Sequence, residues 1–419
     1  MERYFDRILL VGNNCLAKEA ISAAHQLGIE VGIAIKRGMQ IPSWAEIADF
    51  QVLVPNISID NPIFAFAMIK AAMETGCQAI YPNWSNEHLR YAMSSLTAAT
   101  DIAFIGGRPD QLATVRNRVG VRWAAGDLKM DVVSTSEKIT TMEDAEYWLL
   151  RFGFPLVLRT LREKSIRLFT MDEARLLMAD KVADGPVVLE RFVPKAREIE
   201  TVMFAIPDQT PICLGEVETT LRMNGQRAVA EYPPVGIEER HLNRLRTQAA
   251  QLIMGAKWEG LISARFLLSE DRRPYFLQLV PGVQPWHSAI THAIGVDLFD
   301  AQIRVANGDE LGWGQRDILY KGHTISLQIS ALQSNIVSEC SFPKHNCMSG
   351  IEDGDFVEEG STMAIIVSKA PTRQAAIVKA KNLLEDIDIA GVENNIPRIH
   401  ELFDSVEYWS GAISRDAVY

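Results

Sequence analysis

Arg7-Ile8-Leu9-Leu10-Val11-Gly12-Asn13-Asn14 reads as a strand and a turn, and the alternation of elements beyond it decides the fold. Residues 8–11 are an unbroken apolar run of strand length, the mark of a strand covered on both faces. An amphipathic helix is expected over about 16–27, with Gly28 placed to cap it. Residues 30–35 read as the next strand. Further strands at 51–54, 79–81 and 103–105 alternate with helices at about 62–75 and 87–99. Strands alternating with helices of this size predict an α/β fold with a parallel, doubly wound sheet. Gly12-Asn13-Asn14 lacks the later glycines of a dinucleotide fingerprint and reads as a plain strand-to-helix turn.

The chain has 419 residues, more than one hydrophobic core usually serves, so two or three subdomains are expected. Its 42 basic and 53 acidic residues leave a net charge of -11. An acidic chain without a basic run is a poor nucleic-acid binder, because phosphate contacts need Lys and Arg. Cys15, Cys77, Cys213, Cys340 and Cys347 are scattered, which argues against a disulfide framework and structural zinc. Cys340 and Cys347, with His345 between them, come nearest to a ligand set and are read as thiols in a loop-rich strand region. No apolar segment reaches a membrane span, and the run at 7–12 is too short for a signal core. A cytoplasmic protein without membrane contact is expected.

Helical pattern covers 110–127. Strands at 156–160, 165–169 and 187–192 surround a helix at 171–179, forming a small α+β lobe. Strand-rich sequence comes next over 198–230, then a helix at 238–257 and strands at 261–269 and 274–280. Beyond Gly322 come short strands and helices at 373–387 and 395–404. The expected division is 1–109, 110–315 with its small lobe at about 127–192, and 316–419.

Several stretches in this order resemble the biotin carboxylase branch of the ATP-grasp family. Ile105-Gly106 is similar to its Ile-Gly-Pro turn. Phe154-Pro155-Leu156-Val157-Leu158-Arg159 resembles Tyr-Pro-Val-Ile-Ile-Lys, the strand with a nucleotide-binding lysine. Leu189-Glu190-Arg191-Phe192-Val193 resembles the hinge that contacts adenine. Arg197-Glu198-Ile199-Glu200-Thr201-Val202 is similar to Arg-His-Val-Glu-Ile-Gln, and Gly295-Val296-Asp297-Leu298 to Gly-Val-Asp-Leu. Gly322-His323 and Ala390-Gly391-Val392 with Asn395 extend the likeness to the C-terminal region. The resemblance implies an N-terminal α/β domain, a two-lobed α+β ATP-grasp domain and a β-rich C-terminal subdomain. It implies ATP-dependent carboxylation of biotin, with magnesium bridging phosphate oxygens.

The residues that such chemistry needs are replaced. Magnesium wants oxygen ligands, which the family takes from two glutamates and an asparagine. Arg265, Gln278 and Val280 stand at those places here. In the stretch resembling Thr-Arg-Ile-Gln-Val-Glu-His, Gly282 replaces the arginine and Trp286 the general base, and neither can orient bicarbonate or accept its proton. The phosphate loop reads Thr160-Leu161-Arg162-Glu163-Lys164-Ser165, without glycine. Asn346 falls where a bicarbonate-binding arginine is expected. Arg118, Arg159 and Arg227 replace lysines, with two readings open: arginines paired with nearby acids, or the lining of a surviving anion cleft.

Two functions are compatible with these residues. In the first, a degenerate scaffold holds no metal and lacks the family's activity; it regulates or assembles something, a protein partner included. Glu190, Phe192, Val193, Glu200, Arg118, Arg159 and Arg227 would then contact ATP or ADP without magnesium. In the second, a ligase (carboxylate–amine or carboxylase-like) works with a rewired site. Glu200, Glu216, Glu218 and Glu231 face one region by the resemblance and are read as counter-ions for Arg222, Arg227 and Arg265. Arg265, buried on a cleft strand, must pair with Glu200, Glu218 or Glu231. A homodimer is expected, with 325–329 and 376–384 as its apolar surface. The turn at Asp353-Gly354-Asp355 echoes a biotinyl carrier but lacks its lysine, and reads as strand-turn-strand.

Overall fold

The computed structural model describes residues 4–414 apart from 13, 40, 60, 84–86 and 161–165. Strands Arg7–Val11, Glu30–Lys36, Phe50–Val54, Ala79–Pro82 and Ala103–Phe104 form a five-stranded parallel sheet, with the first strand between the second and the fourth. Strand alternation explains its two covered faces. Ile8 and Leu10 pack with Ala20 and Ile21 of helix Ala17–Gln26. Leu9 and Val11 pack with Phe64 and Met68 of helix Pro62–Glu74 and with Leu89 and Met93 of helix Glu87–Thr97.

The helical stretch at 110–127 is two helices, Pro109–Arg116 and Arg118–Asp127. Asn117 divides them: its amide closes the first, and its side chain accepts from the Gly120 amide to cap the second. Helices Met142–Phe152, Ser288–Ile294 and Leu298–Ala306 come in addition to those expected. Asp297 caps the last by accepting from the Phe299 and Asp300 amides at 2.8 and 3.1 Å. In the small lobe, strand Leu156–Arg159 lies between Ile166–Leu168 and Val188–Arg191, backed by helices Met142–Phe152 and Met171–Asp184. The glycine-free segment 161–165 lies outside the described residues.

A nine-stranded sheet forms the centre. It runs from Cys347–Ser349 through Thr362–Ala370, His323–Ser330, Val229–Tyr232, Ile212–Glu218, Arg197–Ala205, Gly260–Leu268 and Pro274–Pro281 to Asp131–Val132. Val229–Tyr232 pairs directly with His323–Ser330, so the sheet crosses the division drawn at 315. The surface nominated for dimerisation lies inside this structure. Ile325, Leu327 and Ile329 share one core with Ala376, Ile377, Ala380 and Leu384, each at most 1% exposed. The helix Arg373–Glu385 covers that face of the sheet, and a dimer must use another one.

Candidate functional site: a buried arginine–glutamate cluster

Directly opposed residues on neighbouring strands share a face, and residues one apart do not. Glu200 opposes Arg265, which in turn opposes Gln278. Glu218 opposes Ile199, Glu216 opposes Thr201, and Glu231 opposes Glu218. The acids therefore divide. Glu198 and Glu200 face one side of the sheet, while Glu216, Glu218 and Glu231 face the other. This corrects the expectation of a single acidic region, and the reason is the two-residue period of the strand.

On the first side, Arg265 pairs with Glu200 at 3.0 Å and with Glu198 at 3.4 Å. The expected partner Glu200 is present, while Glu218 and Glu231 are on the far side. Glu200 is fully buried and completely engaged. One oxygen accepts from Ser263 Oγ (2.6 Å) and Trp286 Nε1 (3.0 Å) and lies 2.8 Å from His287 Nε2, while the other accepts from Arg265. Burial alone would raise its pKa, but the Arg265 charge, the His287 hydrogen bond and Arg227 outweigh it, leaving Glu200 well below the carboxylate range. Glu198 holds Arg222 at 3.0 Å through both oxygens, and also Arg227. The Arg227 guanidinium lies 4.0 Å from the Trp286 ring centroid, a stacked cation–π contact. Burial, then repulsion from Arg265, pushes the Arg227 pKa down to about 9. Among the described residues, three guanidinia thus share two carboxylates.

The opposite face is arranged otherwise. Arg246 clasps Glu216 at 2.7 and 2.9 Å, and Arg197 clasps Glu218 through both oxygens. Arg373 clasps Glu231 at 2.8 and 3.0 Å, with His323 Nε2 at 2.8 Å. The counter-ions expected for these acids were Arg222, Arg227 and Arg265. Those three serve Glu198 and Glu200 instead.

A second group gathers at the hinge. Glu190 is buried and takes Arg122 at 2.8 Å and Arg159 at 2.6 Å. Burial works against its ionisation, but Arg159 and then Arg122 hold its pKa below the usual range. Its carboxylate is thereby committed within the protein. Phe192 stacks under Arg167 at 5.1 Å, its amide donates to the Pro155 carbonyl, and Val193 packs with Val133, Leu267 and Leu277. Arg118 is apart from the Glu190 pair, 3.6 Å from Glu87 and 45% exposed. Glu87 also raises the pKa of Arg265, behind Glu200 and Glu198, so its field reaches both groups.

Gly282 has φ +72°, and a Cβ there would sit 2.3 Å from Arg90 Nη1. The buried Arg90, from helix Glu87–Thr97, fills the space a side chain would need. Sequence reading alone misses Glu198, Arg122, Arg90 and His287. Glu198 had a signal, since it stands at the histidine of the Arg-His-Val-Glu-Ile-Gln motif. Arg122 lies one helical turn after Arg118 and was equally visible. The remaining donor set does not suit magnesium. The Glu198 oxygens and one Glu200 oxygen are held by guanidinia, the other Glu200 oxygen by Ser263, Trp286 and His287, while Val280 is apolar and Gln278 offers one neutral oxygen.

Residues 117–313 match the family described as carbamoyl-phosphate synthase L chain, ATP binding domain. Biotin carboxylase 2 of Bacillus subtilis is 21% identical, with 98% of each chain covered. The mitochondrial propionyl-CoA carboxylase alpha chain of mouse is 23% identical over 99% of this chain and 61% of that one. The biotin carboxylase domain of Hydrogenobacter thermophilus 2-oxoglutarate carboxylase has a TM-score of 0.89 at 19% identity, with 99% and 97% of the chains covered. That structure is a domain dimer in complex with MgADP, ADP and bicarbonate. Campylobacter jejuni biotin carboxylase gives a TM-score of 0.87 at 18% identity, covering 98% of each chain. At these identities the solved structures establish the fold.

Proposed function

We propose that the chain is a biotin carboxylase-like ATP-grasp protein whose cleft binds an anionic ligand, ATP or ADP foremost, without magnesium and without carboxylating biotin. One observation carries this reading: three guanidinia converge on two carboxylates among the described residues, with Arg265 at the position of a metal-binding glutamate. A buried cation in excess is costly, and an incoming phosphate or carboxylate relieves it. Burial first, and then repulsion from Arg265, depress the pKa of Arg227. Trp286 donates a hydrogen bond to Glu200 and cannot act as a base. The protein would then serve in the cytoplasm as a regulatory or scaffolding homodimer, as the Hydrogenobacter domain forms a dimer.

A second reading keeps an active ATP-dependent ligase, carboxylate–amine or carboxylase-like, with rewired chemistry. Kinship over the whole chain to carboxylases favours it, whereas the local chemistry favours the first. One assay separates them. Purified protein with ATP, magnesium, bicarbonate and biotin should release no phosphate above background, and replacing bicarbonate by small carboxylates with amines should change nothing. Turnover that disappears in Glu200→Gln would establish the ligase.

A further inference from the structure

A second opening shares no residue with the arginine cluster. It is a cavity of about 650 Å³ over the carboxyl ends of the N-terminal parallel strands. Val11, Lys36 and Val54 end three neighbouring strands there, Phe64 and Met68 come from helix Pro62–Glu74, and Ser361 reaches in from the C-terminal region. Open α/β sheets bind ligands beyond the carboxyl ends of their strands, in spaces of roughly 300–1,000 Å³.

The usual place would be the crevice between strands Arg7–Val11 and Ala79–Pro82, where strand order reverses. Asn14 and Asn83 bridge that crevice, Asn83 Nδ2 donating to Asn14 Oδ1 at 3.1 Å. The open space is therefore displaced onto the other side of the first strand. Its chemistry is specific. Val11, Val54, Phe64 and Met68 are buried apolar wall. Lys36 is the single charged residue among the described residues lining the cavity, and its ammonium stands 5.4 Å from the Phe64 ring centroid. Ser361 is fixed through its backbone, donating to the Glu358 carbonyl and accepting from the Ala331 amide.

We propose that this cavity binds a small apolar monocarboxylate, its carboxylate on Lys36 and the Ser361 hydroxyl and its hydrocarbon body against Phe64 and Met68. A single cation among apolar walls suits one negative charge and leaves a polyphosphate largely unneutralised. The proposal is independent of how the arginine cluster functions.

Calorimetric titration of the full chain with octanoate and with the neutral octanamide tests it. Octanoate should bind at one site, with octanamide about tenfold weaker, the loss expected for a charge-assisted hydrogen bond. Lys36→Met should bring octanoate down to the level of the amide, and Ile59→Trp, at a partly exposed residue lining the cavity, should abolish both. Equal affinity for acid and amide, no heat for either at millimolar concentration, or an unchanged octanoate affinity in Lys36→Met would each overturn the proposal. Should Lys36→Met fail to fold, the acid–amide comparison on the unmodified chain still decides.

Discussion

The central sheet bears buried charge on both faces around strand Arg197–Ala205, and the two faces solve the problem differently. On one, Glu216, Glu218 and Glu231 each receive a guanidinium that grips both oxygens, from Arg246, Arg197 and Arg373. On the other, Glu198 and Glu200 share Arg222, Arg227 and Arg265. A closed pair leaves nothing for a ligand to do, so the first face is fastening. On the second face three guanidinia share two carboxylates, and the proposed anion site rests on that surplus. Charge balance, rather than charge density, distinguishes the two faces.

The sharpest way to break this comparison is to delete one arginine from each face. Arg197→Met strands Glu218 as a buried, unmatched carboxylate and should cost about 3–5 kcal/mol in urea unfolding. Arg227→Met leaves Glu198 with Arg222 and Arg265 and should cost less than about 2 kcal/mol. Equal losses would mean that the surplus does not exist.

Acid and alkali sharpen it next. Burial pushes the Glu231 carboxyl up, but His323 and Arg373 overcome this and bring its pKa down to about 2 from the usual 4.5. Because the folded value is depressed, its stabilisation is present above 4.5 and is lost as pH falls toward 2. Glu19, on the first helix, goes the other way: burial lifts it to about 7, and its Oε2 has no hydrogen-bond partner among the described residues. A raised carboxyl stabilises below its unfolded value and loses that contribution as pH rises through the folded one. Glu19→Gln should therefore stabilise the protein at mildly alkaline pH by about 1–3 kcal/mol and have little effect at acid pH. A pH-independent gain would refute the assignment. The smallest effect belongs to Arg118, half exposed beside Glu87. Arg118→Ala should change stability by less than about 1 kcal/mol while weakening nucleotide binding.

Much of this was legible in advance. The N-terminal sheet could be read because 8–11 is uniformly apolar and helices intervene, and the structure places Ile8 and Leu10 against one layer and Leu9 and Val11 against the other. That Arg265 needs an acidic partner, with Glu200 among three candidates, could be reasoned from the cost of burying a lone guanidinium. What escaped was pairing between strands. Whether Glu218 shares a face with Glu200 depends on register, which a single strand's sequence does not contain. The helical pattern at 110–127 was read, but its break was not, since Asn117 ends one helix with its backbone and begins the next with its side chain. The proposed dimer surface failed because the apolar runs at 325–329 and 376–384 satisfy each other within one chain.

Guanidinia, in the function proposed above, have taken over the role of the metal. Calorimetric titration with ADP, once in excess magnesium and once in EDTA, tests it most directly. The account predicts binding in both, with affinities within about threefold of each other and a loss of roughly tenfold or more in Arg265→Met. Binding that requires magnesium, or that is indifferent to Arg265→Met, would contradict it.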